Sequence, residues 1–80
     1  MADTLQPLSS LAVGKAATVA EINIPAAARA RLMEMGLLTG TTVELVRFAP
    51  LGDPVEIKIR GYNLSLRKHE AELILVRIKD

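Results

Sequence analysis

Residues 55–67 read VEIKIRGYNLSLR, and this stretch decides the fold. Val55, Ile57 and Ile59 alternate with Glu56, Lys58 and Arg60, which is the period-two rhythm of a strand with one buried and one wet face. Gly61-Tyr62 reads as a two-residue hairpin turn with glycine first. The chain then returns through Asn63 to Arg67, with Leu64 and Leu66 inward and Ser65 outward.

Upstream, Pro50-Leu51-Gly52-Asp53-Pro54 cannot sit inside a regular ladder, because two prolines and a glycine interrupt it. Residues 42–49, TVELVRFA, form the strand before that loop, and Thr39-Gly40-Thr41 is a turn. The segment Pro25 to Met35, PAAARARLMEM, is the helix. Pro25 suits a first helical position, where a missing N–H costs nothing. Alanine is the best helix former, and Ala28, Leu32 and Met35 share one face. Gly36 ends the helix in the left-handed conformation and lets Leu37 fold back onto Leu32. Residues 15–22, KAATVAEI, read as a strand because Thr18, Val19 and Ile22 favour extended backbone. Leu8-Ser9-Ser10-Leu11 followed by Val13-Gly14 is an anchoring turn, and residues 1–7 read as a loose N-terminal arm. Downstream, residues 67–71 make one helical turn, and Glu72 to Ile78, ELILVRI, is the last strand.

About five short antiparallel strands, one inserted α-helix and a helical turn before the last strand describe a mostly β domain. The absence of a βαβ rhythm points to a small barrel, which removes the edges an apolar chain would otherwise expose. At 80 residues this is a single domain, 1–80.

Composition narrows the function. Half the residues are hydrophobic and 24% are charged, a folding composition. Ten Lys+Arg against nine Asp+Glu leave a net charge of +1, so no basic excess seeks phosphate backbones, and one Tyr with one Phe offers no stacking platform. Nucleic acid is therefore not an expected partner. There is no cysteine for a disulfide, thiolate site or thiol chemistry. No apolar run approaches the roughly 20 residues of a membrane helix, and the first residues lack the basic start of a secretory signal. A cytoplasmic protein without direct membrane insertion is the expectation.

Reactive constellations are missing their parts. Ser9, Ser10 and Ser65 have only His69 as a candidate base, and no Gly-x-Ser-x-Gly elbow exists. Glu56, Glu70 and Glu72 lie at polar positions and read as solvated. His69 beside Glu70 gives two weak metal ligands, where a tight site needs three or four. The expectation is a non-enzyme with no cofactor and no resident metal.

Apolar surface is more informative. Leu73 and Leu75 alternate against Ile74, Val76 and Ile78, so both faces of the last strand are apolar. One face fills the core. The other is covered by the protein's own helix or arm, or is presented to a partner. The proline loop either turns the chain or projects as a stiff knuckle that docks with little entropy loss.

Three stretches together carry a family resemblance. Leu32-Met33-Glu34-Met35-Gly36-Leu37 is similar to a Leu-x-x-(Leu/Met)-Gly-(Leu/Met) motif. Ala49-Pro50-Leu51-Gly52-Asp53-Pro54 is similar to an Ala-Pro-Leu-Gly-(Asp/Gly)-Pro loop. Leu64-Ser65-Leu66-Arg67-Lys68-His69-Glu70-Ala71 is similar to a Leu-x-Leu-Arg-x-x-(Glu/Asp)-Ala segment. In this order the chain resembles the FeoA family, with Thr39-Gly40 where that family often has Pro-Gly. The resemblance implies an SH3-like β-barrel. It also implies an accessory role in bacterial ferrous iron uptake, binding the cytoplasmic part of the FeoB membrane GTPase and transporter at the inner face of the membrane.

Under that implication the expected contact residues are Leu37, Pro50, Leu51, Pro54, Leu73 and Leu75, with Leu32 and Met35 anchoring the helix. A variant reading makes the protein a GTPase activator of FeoB, with Arg29 or Arg31 as the finger that stabilises transition-state charge. Another reading is a metal-linked regulatory domain like the C-terminal domain of DtxR-type repressors. These 80 residues hold no DNA-binding helix-turn-helix and no metal-ligand cluster ahead of the domain, so the free-standing transport reading is the expectation.

Overall fold

The hairpin forms where the alternation places it. In the computed structural model, which describes residues 4–78, strand β4 (Val55–Ile59) pairs with β5 (Tyr62–Leu66). Val55 lies opposite Leu66, Ile57 opposite Leu64 and Ile59 opposite Tyr62. The turn residues are therefore Arg60 and Gly61, one position earlier than expected. Both have positive φ, 48° and 93°, the requirement of a type I′ turn. A non-glycine residue in that region costs about 1 kcal/mol. The observed register offsets this with two side-chain bonds. The Tyr62 hydroxyl donates to the Met35 carbonyl, and Asn63 Nδ2 donates to Glu56 Oε2 at 2.7 Å.

The remaining elements follow in chain order: β1 (Leu5–Pro7), a 3-10 turn (Leu8–Ser10), β2 (Ala16–Ile22), α1 (Ala26–Glu34), β3 (Thr42–Phe48), then β4, β5, α2 (Lys68–Glu72) and β6 (Ile74–Ile78). The strands form one six-stranded sheet in the order β1-β6-β2-β3-β4-β5, and every neighbouring pair is antiparallel. The register shifts between Val19 and Glu21 and again between Leu45 and Arg47. Each shift leaves one residue unpaired, which bends the strand and curls the sheet.

The expected mostly β architecture with one inserted helix is present, and three details of it differ. The described residues form six strands, because residues 5–7 of the expected loose arm pair with β6: Leu5 with Arg77, Gln6 with Val76 and Pro7 with Leu75. The buried side chains of Leu8 and Leu11 hold that segment down. The rest of the arm, residues 1–3, lies outside the described residues. The cylinder is also not closed: β1 and β5 are the two ends of the ladder and do not pair with each other. β6 begins at Ile74, two residues later than expected, because α2 runs on to Glu72.

Inside the curl, Val19, Val43, Leu45, Val55, Ile57, Ile59, Leu66, Ile74 and Val76 are essentially inaccessible. Each comes from the apolar phase of its strand. Helix α1 lays Leu32 into this core, with Ala28 and Met35 packed against it as partly buried neighbours. Pro25 is the N-cap rather than the first helical residue. At the other end Leu37 N–H donates to Leu32 O (3.0 Å) and Gly36 N–H to Met33 O (3.0 Å), the paired bonds of a Schellman motif. Gly36 has φ +99°, and Leu32 and Leu37 are both fully buried in the same cluster.

Candidate interaction surface

The proline loop between β3 and β4 is held at its base and its side. Ala49 N–H donates to Pro54 O at 3.0 Å, and Ala49 O accepts from Gly52 N–H at 2.7 Å. The Asp53–Pro54 peptide is cis. Asp53 Oδ1 accepts the Lys68 N–H at 3.0 Å, which ties the loop to the start of α2. Pro50 and Pro54 are exposed, and Leu51 at the tip is 93% exposed. A leucine presented to solvent on a backbone held by three hydrogen bonds is a preorganised apolar contact.

Beside the loop lies an open groove of about 570 Å³ lined by Arg31, Asp53, Pro54, Ser65, Leu66, Arg67 and Glu70. Glu70 is the surprise within it. It reads as solvated in the sequence, yet it is only 4% exposed. Its Oε1 accepts the Arg67 N–H at 3.1 Å, satisfying a free donor at the start of α2, and its Oε2 accepts Arg31 Nη2 at 3.0 Å. This pair joins α1 to α2. The signal was present: an acid three residues after Arg67 sits at the capping-box position.

The expected contact residues do not form one patch. Leu37 is fully buried and offers no surface as the structure stands, because the helix-ending motif needs the second residue after its cap inside. Leu73 is 39% exposed and Leu75 half-buried. Leu75 lies between Pro7 of β1 and Glu21 of β2, and Leu73 O accepts the Asn23 N–H at 2.9 Å. β2 and β3 separate this outer face of β6 from β4 and its loop. A third apolar patch escaped the sequence reading. Met33 and Leu38, 45% and 42% exposed, line a shallow hollow of about 280 Å³ with Ile22, Arg29 and Thr39. Once Leu37 is turned inward, Leu38 is left outside, so the same motif could have identified it.

Charge is balanced locally on the sheet. Arg47 and Glu56 are cross-strand partners on β3 and β4, with Arg47 Nε 2.9 Å from Glu56 Oε1. The bonds from Arg47 and Asn63 hold the Glu56 carboxyl below its ordinary pKa, outweighing a small opposing effect of burial. Among the described residues no three His, Asp or Glu side chains come together as a metal site. No helix of the described residues is long and apolar enough to cross a membrane. Arg31 is engaged with Glu70, while Arg29 is exposed on α1.

Comparison with known proteins agrees with this architecture. The FeoA domain model matches residues 6–78. The chain is 39% identical over 71 residues to a Fe(2+) transport protein A/Fe(2+) transporter FeoB fusion protein of Porphyromonas gingivalis, covering 89% of this chain and 8% of that protein. The chain thus spans less than a tenth of that relative's length. The solution structure of the FeoA protein from Chlorobium tepidum superposes with a TM-score of 0.90 at 43% identity, covering 94% of this chain and 71% of that one. The FeoA of Stenotrophomonas maltophilia, crystallised with zinc and described as a prokaryotic SH3 domain protein, has a TM-score of 0.72 at 28% identity over 89% of this chain and 88% of that one. With its three motifs, its curled antiparallel sheet and a match that spans nearly its whole length, the chain belongs to the FeoA domain family.

Proposed function

We propose that this protein is a non-enzymatic adaptor of ferrous iron uptake that binds the cytoplasmic part of a FeoB transporter and supports Fe²⁺ transport. The observation that carries this is the Porphyromonas gingivalis relative, in which a segment 39% identical to this chain is joined covalently to FeoB. Fusion holds two partners at high effective concentration, so the joined arrangement supports a working contact between them. Joined to FeoB or not, the domain can make that contact only through its surface. The preorganised tip Pro50-Leu51, Pro54 beside it and the outer-face residues Leu73 and Leu75 are the residues assigned to it. The protein then works at the inner face of the membrane, recruited through its partner rather than by its own insertion.

The reading assigns no chemistry to the chain itself. Arg31 is held by Glu70, which leaves the exposed Arg29 as the candidate for a charge-stabilising finger. The adaptor reading expects GTP turnover by FeoB to be the same with and without this protein at saturation, and faster turnover that Arg29→Ala abolishes would favour the activator reading instead. The direct test is calorimetric titration of the isolated FeoB cytoplasmic domain with this chain, in the GTP-analogue and GDP states. Saturable binding supports the adaptor reading, and its absence in both states defeats it.

A further inference from the structure

The two edges of the sheet are built differently. β1 is three residues long, ends on Pro7, and has its Gln6 side chain turned onto Ser10 Oγ at 2.8 Å. These features blunt an edge. β5 is five residues long and contains no proline. Its hairpin closes on the pair Ile59–Tyr62. In a two-residue hairpin that pair exchanges both backbone bonds, and bonded pairs then recur at every second residue. Tyr62, Leu64 and Leu66 therefore bond to β4, while the N–H and C=O groups of Asn63 and Ser65 point away from it. Among the described residues no strand lies beyond β5, and both Asn63 and Ser65 are exposed.

The residues that bracket this open edge in the chain are basic, and Asp53 is the one neighbouring acid without a cation partner among the described ion pairs. Arg60 precedes it, and Arg67 and Lys68 follow it. None of the three has an ion pair among the described residues. The neighbouring acids are already engaged: Glu56 by Arg47 and Asn63, Asp53 by the Lys68 N–H, and Glu70 by Arg31 and the Arg67 N–H.

We propose that β5 is an acceptor edge for an extended segment of a partner protein, with acidic residues at both ends, which adds to the sheet as a seventh strand. Asn63 and Ser65 supply two donors and two acceptors, and the flanking cations select the acidic ends. A second copy of this chain is the wrong occupant. Antiparallel pairing of two β5 edges centred on Leu64 would set Arg60 opposite Lys68 and repeat the clash by symmetry. The assignment holds whichever protein supplies the segment, so it does not rest on the FeoB reading.

The test is an amide NMR titration of the whole labelled chain with a blocked peptide of about seven residues, alternating threonine and valine with a glutamate at each end. A control peptide carries lysine at each end. The expected result is shifts and slowed hydrogen exchange centred on Asn63 and Ser65, with the lysine-ended peptide binding at least about tenfold more weakly. Ser65→Pro removes an N–H that makes no bond to β4, so it is expected to keep the fold and abolish the peptide shifts. If that variant does not fold, Arg67→Glu gives the second reading, a loss of about tenfold for the glutamate-ended peptide and a gain for the lysine-ended one. Shifts on another face, equal binding of both peptides, no shifts at millimolar peptide, or sedimentation showing two copies joined through β5 would each overturn the proposal.

Discussion

At the scale of single residues, Gly36 and Tyr62 form the tightest constraint. Gly36 has φ +99°, and a Cβ added there would sit 2.5 Å from the Tyr62 hydroxyl oxygen. That hydroxyl also bonds the Met35 carbonyl at the end of α1. Gly36→Ala is expected to destabilise the protein by about 2–3 kcal/mol, from left-handed strain plus the clash. Tyr62→Phe removes a hydrogen bond and is expected to cost about 1 kcal/mol. Because Phe also relieves the clash, the double variant should cost clearly less than the sum, and urea unfolding of all four proteins measures the difference. Strict additivity would contradict the geometry. Glu70 makes a second residue-scale prediction. Glu70→Ala strips the first turn of α2 of its acceptor and frees Arg31, for an expected loss of about 2 kcal/mol in the same assay. The partner Arg31 is half exposed, which keeps the figure well below that of a fully buried pair.

At the scale of elements, the alternation of residues 55–60 and 63–67 was enough to place β4 and β5, and the helix was bounded by Pro25 and Gly36 to within a residue or two. The turn between β4 and β5 was not legible in the same way. Gly61 serves equally well as the first residue of one turn type or the second of another, and only the bonds from Tyr62 to α1 and from Asn63 to Glu56 decide. β1 was missed for a similar reason: three residues ending in proline carry no periodicity, and their order comes from β6 and from Leu8. Leu37 completes the Schellman motif at the end of α1 and Glu70 accepts the Arg67 N–H at the start of α2, so both side chains turn inward although an aliphatic also suits a contact surface and an acid a wet face. The hairpin also has a pH signature. Glu56 is held below its ordinary pKa, so its contribution to stability is full above the ordinary carboxylate range and is lost as pH falls through the depressed value. Replacing Glu56 with Gln should therefore cost stability at neutral pH, and the difference should vanish in strong acid. Chemical denaturation of both proteins across that range checks it, and a gap that persists unchanged into strong acid would argue against the Arg47–Glu56–Asn63 cluster.

At the scale of the whole molecule, the core takes up most strand-derived aliphatic side chains, and the apolar surface that remains is scattered, with Val13, Phe48 and Tyr62 exposed singly besides three larger places. The tip of the proline loop, the outer face of β6 and the Met33–Leu38 hollow lie apart on a curled sheet that does not close. The three motifs identify the family but leave this dispersal open, since which exposed aliphatics share a surface depends on the strand order that sets the β3–β4 loop and the outer face of β6 apart. A partner that covers more than one of these places must wrap the domain. One that covers only the loop tip must draw most of its energy from Leu51 and its prolines.

Calorimetric titration of the FeoB cytoplasmic domain with wild type and with Leu51→Asp tests this account most directly. Leu51 is 93% exposed, so the substitution should leave the unfolding midpoint unchanged while placing a charge in the centre of the assigned contact. Saturable wild-type binding that weakens at least about tenfold in the variant is the predicted result. Equal affinities, or no binding by the wild type, would contradict it.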